Sequence, residues 1–267
     1  MTTPGGTRRE RQREATFAEI VATAQALLTE GAELSLRAVA ARMGMTAPAL
    51  YRYVGSYQEL VDLVAYEIDR QAAATFAAAA DALDPEDAPG RLIAAVTEFR
   101  MWALAHPRHF QLVFANPVAE SFCTRRELLT LATSGLLMTD LIHDVHRQRP
   151  FPIPALDELP PLVRDVVLDP LIPANVDHIP AEERGLVWIY MQGWNQLYGV
   201  VALEVMGHMD PRVIESGEMY LDVIRRFAPI LGLDDDEGTL PRLLDLARRR
   251  IDADPSAIAD GSPSHLR

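Results

Sequence analysis

Apolar residues recur at helical spacing along most of this chain, and the alternation that marks a half-buried strand is hard to find. Between 11 and 30, Phe17, Ile20, Val21, Ala24, Leu27 and Leu28 share one stripe and Gly31 supplies a stop, which predicts an amphipathic helix. Ser35 reads as the N-cap of a short helix with Leu36, Val39, Ala40 and Met43 on its inner face. Gly44 follows, where a sharp turn calls for a left-handed residue. Thr46 reads as the cap of a second short helix, with Pro48 in its first turn and Leu50 and Tyr53 inside. Ala40, Gly44 and Leu50 lie four and then six residues apart, which suits two helices crossing at about 90–120°. Ser56-Tyr57-Gln58-Glu59 is a capping-box sequence that opens a long helix to about Leu83.

The same periodicity predicts further helices at roughly 89–105, 108–115 and 118–147. Residues 150–180 then hold eight of the nineteen prolines, which predicts an irregular crossover with one short helix near 161–168. Two long helices follow, at about 181–209 and 211–231. The first is apolar almost all round and must be covered on both sides. Either it lies at the centre of one subunit or it is shared between two. From 233 onward an acidic patch, Asp234 to Glu237, precedes a short helix near 239–252, and this part reads as a solvated, partly disordered tail. The fold class expected is all-α: a three-helix helix-turn-helix domain at 1–55, then a larger helical domain at 56–232.

The helix ending LLTEG, the segment LSLRAVAARMGMTAPALYRYV (34–54) and SYQEL opening the next helix together resemble the N-terminal domain of TetR-family transcriptional regulators. The resemblance covers about the first quarter of the chain. It implies a DNA-binding hairpin followed by a ligand-sensing half, with two late helices from each subunit packed as a four-helix dimer bundle. It also implies phosphate contacts by Tyr51 and Tyr53. Two positions depart from the family pattern: Tyr57 stands where a lysine is common, and Val54 stands where a phenylalanine is usual.

Outward-facing positions name the candidate DNA contacts. With Leu36, Val39, Ala40 and Leu50 needed inside, Thr46, Ala47, Ala49, Tyr51 and Arg52 are left to face a groove, beside Pro48 in the same turn. Ser35, Arg37 and Tyr57 complete the set, at the starts of their helices. The Thr46 hydroxyl suits a phosphate, and Ala47 and Ala49 are small enough to touch a thymine methyl. Tyr53 is equally a core residue, and Arg52 is equally a solvated one. Arg8, Arg9, Arg11 and Arg13 form a basic arm ahead of the first helix, which either tracks phosphates or frays in solvent.

Net charge first argues against DNA, at −13. Its distribution points the other way. Residues 1–60 hold seven arginines against six acids, and the rest eighteen arginines against thirty-two acids, so +1 precedes −14. All 25 positive residues are arginine, a feature better assigned to genome composition than to function. No apolar run reaches the about 18–20 residues of a membrane span. The single cysteine, Cys123, forms no intrachain disulfide and reads as a small hydrophobe; with the absence of a signal-like start, a cytoplasmic protein is expected.

The larger domain offers an aromatic and apolar set, Phe99, Trp102, Phe110, Phe114, Leu137, Trp194 and Tyr198, as candidate walls of a ligand site, each also explicable as core. His143 and His146, and His106 and His109, are spaced as metal ligands can be, but no cysteine or carboxylate cluster completes a site. No cofactor is expected, and no glycine-rich phosphate loop, G-x-S-x-G or triad points to catalysis. The favoured function is a dimeric, ligand-responsive regulator, a repressor released from a palindromic DNA operator by a hydrophobic small molecule. The alternative is an all-α small-molecule-binding or enzymatic protein whose hairpin no longer binds DNA.

Overall fold

In the computed structural model, residues 7–115, 133–169, 172, 174–176, 179–234 and 238–254 are described. These are mostly helical, with no strand among them, and the all-α class is therefore found. The chain divides into two compact units, one of residues 1–68 with 108–116 and the other of 69–107 with 117–267.

The first unit contains α1 (Arg8–Glu30), α2 (Leu36–Arg42), α3 (Ala47–Leu50), the start of α4 (Tyr57–Asp81) and most of α6 (Pro107–Phe114). Its core is built from Ile20, Ala24, Val39, Leu50, Leu60 and Phe110, each at 2% exposure or less. α1 starts earlier than its apolar stripe. Thr7 and Glu10 close a reciprocal capping box, so Arg8, Arg9, Arg11 and Arg13 lie within the helix and not on an arm ahead of it. Its end is as expected: Gly31, at φ 79°, donates its N–H to the Leu27 and Leu28 carbonyls.

In the second unit α5 (Ala88–Ala105) is the central helix, packed against α7 (Thr133–Gln148), α9 (Gly185–Val205) and α12 (Thr239–Ala253). α8 (Pro161–Val167) lies against α9 and falls where the proline-rich crossover was expected to hold its short helix. Of the helix expected at 118–147, the part before 133 lies outside the described residues, as does Cys123.

Two expectations need correction. The helix expected at 211–231 is three pieces: α10 (Pro211–Ser216), α11 (Glu218–Phe227) and a 3₁₀ turn, Ala228–Leu231. Gly217 breaks it by adopting φ 64°, and a Cβ there would approach the Ile251 Cδ1 to 2.8 Å. The segment after 233 is also no solvated tail where it is described. α12 buries Leu243, Ala247 and Ile251, and Arg242 and Arg250 anchor it to Asp87 and Glu98. Asp87 also accepts the Gly90 N–H at the start of α5. Burial raises its carboxyl, but Arg242 and the Gly90 N–H together hold it below the usual carboxylate range.

A buried ion pair sits at the heart of this unit. Arg100 and Glu204 have fully buried side chains, and the Arg100 Nε donates to Glu204 at 2.7 Å. Nη2 donates to the same carboxylate at 3.1 Å and to the Ile214 carbonyl at 2.6 Å. The guanidinium lies 5.4 Å from the Tyr220 ring centroid, and the Tyr220 hydroxyl shares a 2.9 Å hydrogen bond with Thr97. Burial pushes the Glu204 carboxyl up, against the pull of Arg100. Glu204→Ala strands the guanidinium in a buried site and is expected to cost about 3–5 kcal/mol by urea unfolding. Arg100→Met combined with Glu204→Leu is expected to recover most of that loss, because desolvation offsets much of the pair's attraction.

Candidate functional site

The hairpin at 35–54 is set by local chemistry. Ser35 is extended (φ −151°, ψ 152°) and its Oγ accepts the Ala38 N–H at 3.1 Å, so α2 begins where the cap demands. Met43 ends α2, and Gly44 follows at φ 66° while the Met45 N–H donates to the Ala40 carbonyl at 2.8 Å. α3 then runs only from Ala47 to Leu50, continued by turns through Tyr53. Thr46 has cap-like backbone angles, but its side chain makes no capping hydrogen bond, contrary to expectation. Pro48 occupies the first turn.

Leu50 and Val54 have no exposed surface and plug the hairpin from within. Arg37, Thr46, Pro48, Arg52, Tyr51 and Tyr57 are exposed, the last two by 52% and 49%. Ser35, Ala47, Ala49 and Tyr53 are half-buried. The ten candidate positions therefore lie on or near the surface, with Tyr53 the one turned partly toward the core. Arg42 differs from its neighbours: it forms a two-pronged pair with Glu30 and holds that carboxyl below its ordinary range. Arg37 and Arg52 pair with no acid among the described residues. At the start of α4 the Ser56 Oγ accepts the Glu59 N–H, while the Glu59 carboxylate takes the Gly55 N–H at 2.7 Å. The capping box is thus formed one residue out of its usual register.

The second unit contains a cavity of about 80 Å³. Its wall includes Val96 of α5, Met138 of α7, Tyr190 and Trp194 of α9, Phe227 of α11 and Leu243 of α12. Among the seven ligand-wall candidates, Trp194 alone borders it. Phe99 and Trp102 instead pack edge-on around Phe76, with centroids at 5.7 and 5.9 Å, and Phe99 also meets Trp194 at 5.4 Å. Tyr198 stacks on Trp194 at 5.9 Å. Leu137 yields its place to Met138, because one residue along a helix turns the side chain by about 100°. Phe110 and Phe114 belong to the first unit, where their rings pair at 5.4 Å.

The unforeseen wall residues carried a partial signal. Tyr190, Trp194 and Leu197 recur at helical spacing on α9, and Val223 and Phe227 do so on α11. Leu243 had none, since its helix read as tail. Among the described residues no group of three or more His, Cys, Asp or Glu side chains is disposed to hold a metal. His146 serves structure, its Nδ1 accepting the Phe151 N–H and its ring meeting that phenyl edge-on at 4.7 Å.

An all-α chain with an outward-facing two-helix reader and a separate helical unit around a cavity is the arrangement of a helix-turn-helix regulator. The tetracyclin repressor-like C-terminal domain family matches residues 92–227, half of the chain, and the protein belongs to the TetR family of transcriptional regulators. It is similar to the HTH-type transcriptional regulators Rv1816 of Mycobacterium tuberculosis and Mb1846 of Mycobacterium bovis. Each is 37% identical over 93 residues, which is 34% of this chain and 40% of the relative's length. The crystal structure of the regulatory protein SCO4313 overlaps 85% of this chain and all of its own, at 25% identity and a TM-score of 0.55. No helix among the described residues is long and apolar enough to cross a membrane.

Gly44 gives the hairpin a direct test. A Cβ there would meet no atom within 4 Å, so backbone strain is the whole cost of filling the position. Gly44→Ala is expected to lower stability by about 1–2 kcal/mol in thermal unfolding, and Gly44→Asn by less.

Proposed function

We propose that this chain is a homodimeric repressor that binds a palindromic DNA operator and is released by a small hydrophobic molecule. The observation that carries the reading is the polarity of the second hairpin helix: Leu50 and Val54 are sealed inside while Tyr51 and Arg52 face solvent. A segment so placed is free to enter a major groove, with Ala47 and Ala49 close to bases and Tyr51, Tyr53, Tyr57 and Thr46 near phosphates. Arg37, exposed at the start of α2 and paired with no acid among the described residues, adds a charged contact, and Ser35 positions it by capping that helix.

One such hairpin buries only about 600–1,000 Å² on DNA, so specificity calls for two, about 34–36 Å apart across a two-fold axis. Leu203 and Met206 at the end of α9 and Met219 on α11 are exposed by 38–45%, which supports these helices as the dimer face. The cavity supports an effector site, since α9 and α11, the helices that carry those exposed side chains, also contribute to its wall. Ligand there is proposed to change the separation of the two hairpins, with a coupling of about 1–3 kcal/mol that weakens operator binding some 5–150-fold. Such a regulator works in the cytoplasm. The second reading, a helical ligand-binding protein with a silent hairpin, is favoured by the net charge of −13 and by Tyr57 in place of a basic residue.

Titrating salt against binding of the protein to its own upstream duplex separates the two. The repressor reading expects affinity to fall steeply as salt rises, with a slope near 0.9 per phosphate contacted. Arg37→Ala and Tyr51→Ala are each expected to weaken binding by about 1–3 kcal/mol in fluorescence anisotropy without lowering the unfolding temperature. Salt-independent binding, or full affinity in both variants, sinks it.

A further inference from the structure

The wall of the cavity in the second unit is aliphatic and aromatic, and among the described residues Tyr190 and Trp194 alone bring hydrogen-bonding side-chain groups to it. Tyr190 is 7% exposed, and no hydrogen bond reaches its hydroxyl from any described residue. That is unusual, because a phenol removed from water loses its partners there and ordinarily finds one inside. Among the described residues, Thr97 is bonded to Tyr220, and Ser134 to Asp69 through both its Oγ and its N–H. A tyrosine that borders an apolar cavity, with a hydroxyl that takes no bond from any described residue, is the group a ligand's own polar atom would pair with.

Charge narrows the ligand further. Asp69 is 4% exposed and its carboxyl is held by Ser134. Burial, and after it the charge of Asp69, pushes the Tyr190 phenol well above its usual range, so it stays a neutral hydroxyl. Among the described residues no arginine or histidine borders the cavity to receive an anion. A carboxylate entering would meet an apolar wall and lose its water. Size sets the last limit. The space of about 80 Å³ is about half the about 150 Å³ of an apolar cavity that accepts benzene, which sets a single ring or a short chain as the upper limit.

We propose that the cavity binds a small uncharged molecule, one ring or a short chain, whose single hydroxyl or carbonyl hydrogen-bonds to the Tyr190 hydroxyl, and that it rejects the matching carboxylate. This assignment rests on the reading of the helical unit as the effector-binding part. It gives α9 a selecting residue, Tyr190, one turn before the wall residue Trp194 and three before Gly193, which lets the Phe227 ring close against the helix.

Benzyl alcohol, toluene and benzoate are matched probes, and the full chain is titrated with each by calorimetry. Benzyl alcohol and toluene are expected to bind saturably, and benzoate at least about tenfold more weakly than the alcohol. Tyr190→Phe is expected to weaken benzyl alcohol about tenfold, the worth of one hydrogen bond, and to leave toluene within about threefold. Val96→Phe, which narrows the cavity from α5, is expected to weaken both. Benzoate binding as tightly as the alcohol, an unchanged alcohol-to-toluene ratio in Tyr190→Phe, binding untouched by Val96→Phe, or no saturable binding of any probe would each overturn the assignment. Operator affinity is read separately. If it is unchanged with benzyl alcohol bound, the effector reading falls while the ligand assignment stands.

Discussion

The Arg100 guanidinium joins three separate stretches of chain in the second unit. Its own helix, α5, packs against α7, α9 and α12; Glu204 comes from the last turn of α9, and the Ile214 carbonyl from α10. A charge with no exposed surface is tolerable only if every donor finds a partner, and this constraint fixes the three elements more tightly than apolar contact alone would. Tyr220 extends the arrangement by laying its ring beside the guanidinium and its hydroxyl on Thr97. Gly217 serves the same junction. Without a Cβ, it admits Ile251 of the final helix at a point where any other residue would collide.

The first unit follows a different logic, in which nearly everything is local. A serine cap, a left-handed glycine, a proline in a first turn and two buried plugs specify the hairpin from within about twenty residues. For that reason it was legible in the sequence almost residue by residue. The surface side chains of α2 and α3 follow by elimination once Leu36, Val39, Ala40 and Leu50 are placed inside. What the pattern missed there were choices between equivalent partners. Glu59 bonds the Gly55 N–H and not that of Ser56, Thr46 caps in backbone geometry without its hydroxyl, and four N-terminal arginines are wound into α1 because Thr7 and Glu10 start it early.

Legibility fell wherever partners are distant in sequence. Periodicity tells which face of a helix is apolar, not which helix covers it. Phe99 and Trp102 read as pocket walls, yet each is absorbed by Phe76, an aromatic set within an alanine-rich run. Phe110 and Phe114 belong to the other unit altogether. The final helix was misread for a related reason. Behind an acidic patch it read as solvated tail, while Arg242 and Arg250 in fact reach Asp87 and Glu98 some 150 residues earlier in the chain. One glycine likewise divided a helix that looked continuous through 211–231: Gly217, at φ 64°, caps α10 by donating to the Ile214 carbonyl, and the distant Ile251 leaves no room there for a Cβ.

These constraints bear on how a filled cavity would act. α9 and α11 meet at both ends but are bound differently at each. At one end Glu204 is held by Arg100, and Tyr220 lies beside the same guanidinium; separating them there exposes a buried charge. At the other end Gly193 faces the Phe227 ring, and the contact is apolar, with a Cβ on Gly193 falling 2.9 Å from the ring. Apolar packing of that kind has little slack but resists parting far less than a desolvated ion pair. The cavity borders the Phe227 end, so on the effector reading a ligand larger than the space available would press on α11 at its less firmly held end. On the dimer reading, Leu203, Met206 and Met219 sit near the Arg100 end, so the interface would tilt more than it would part.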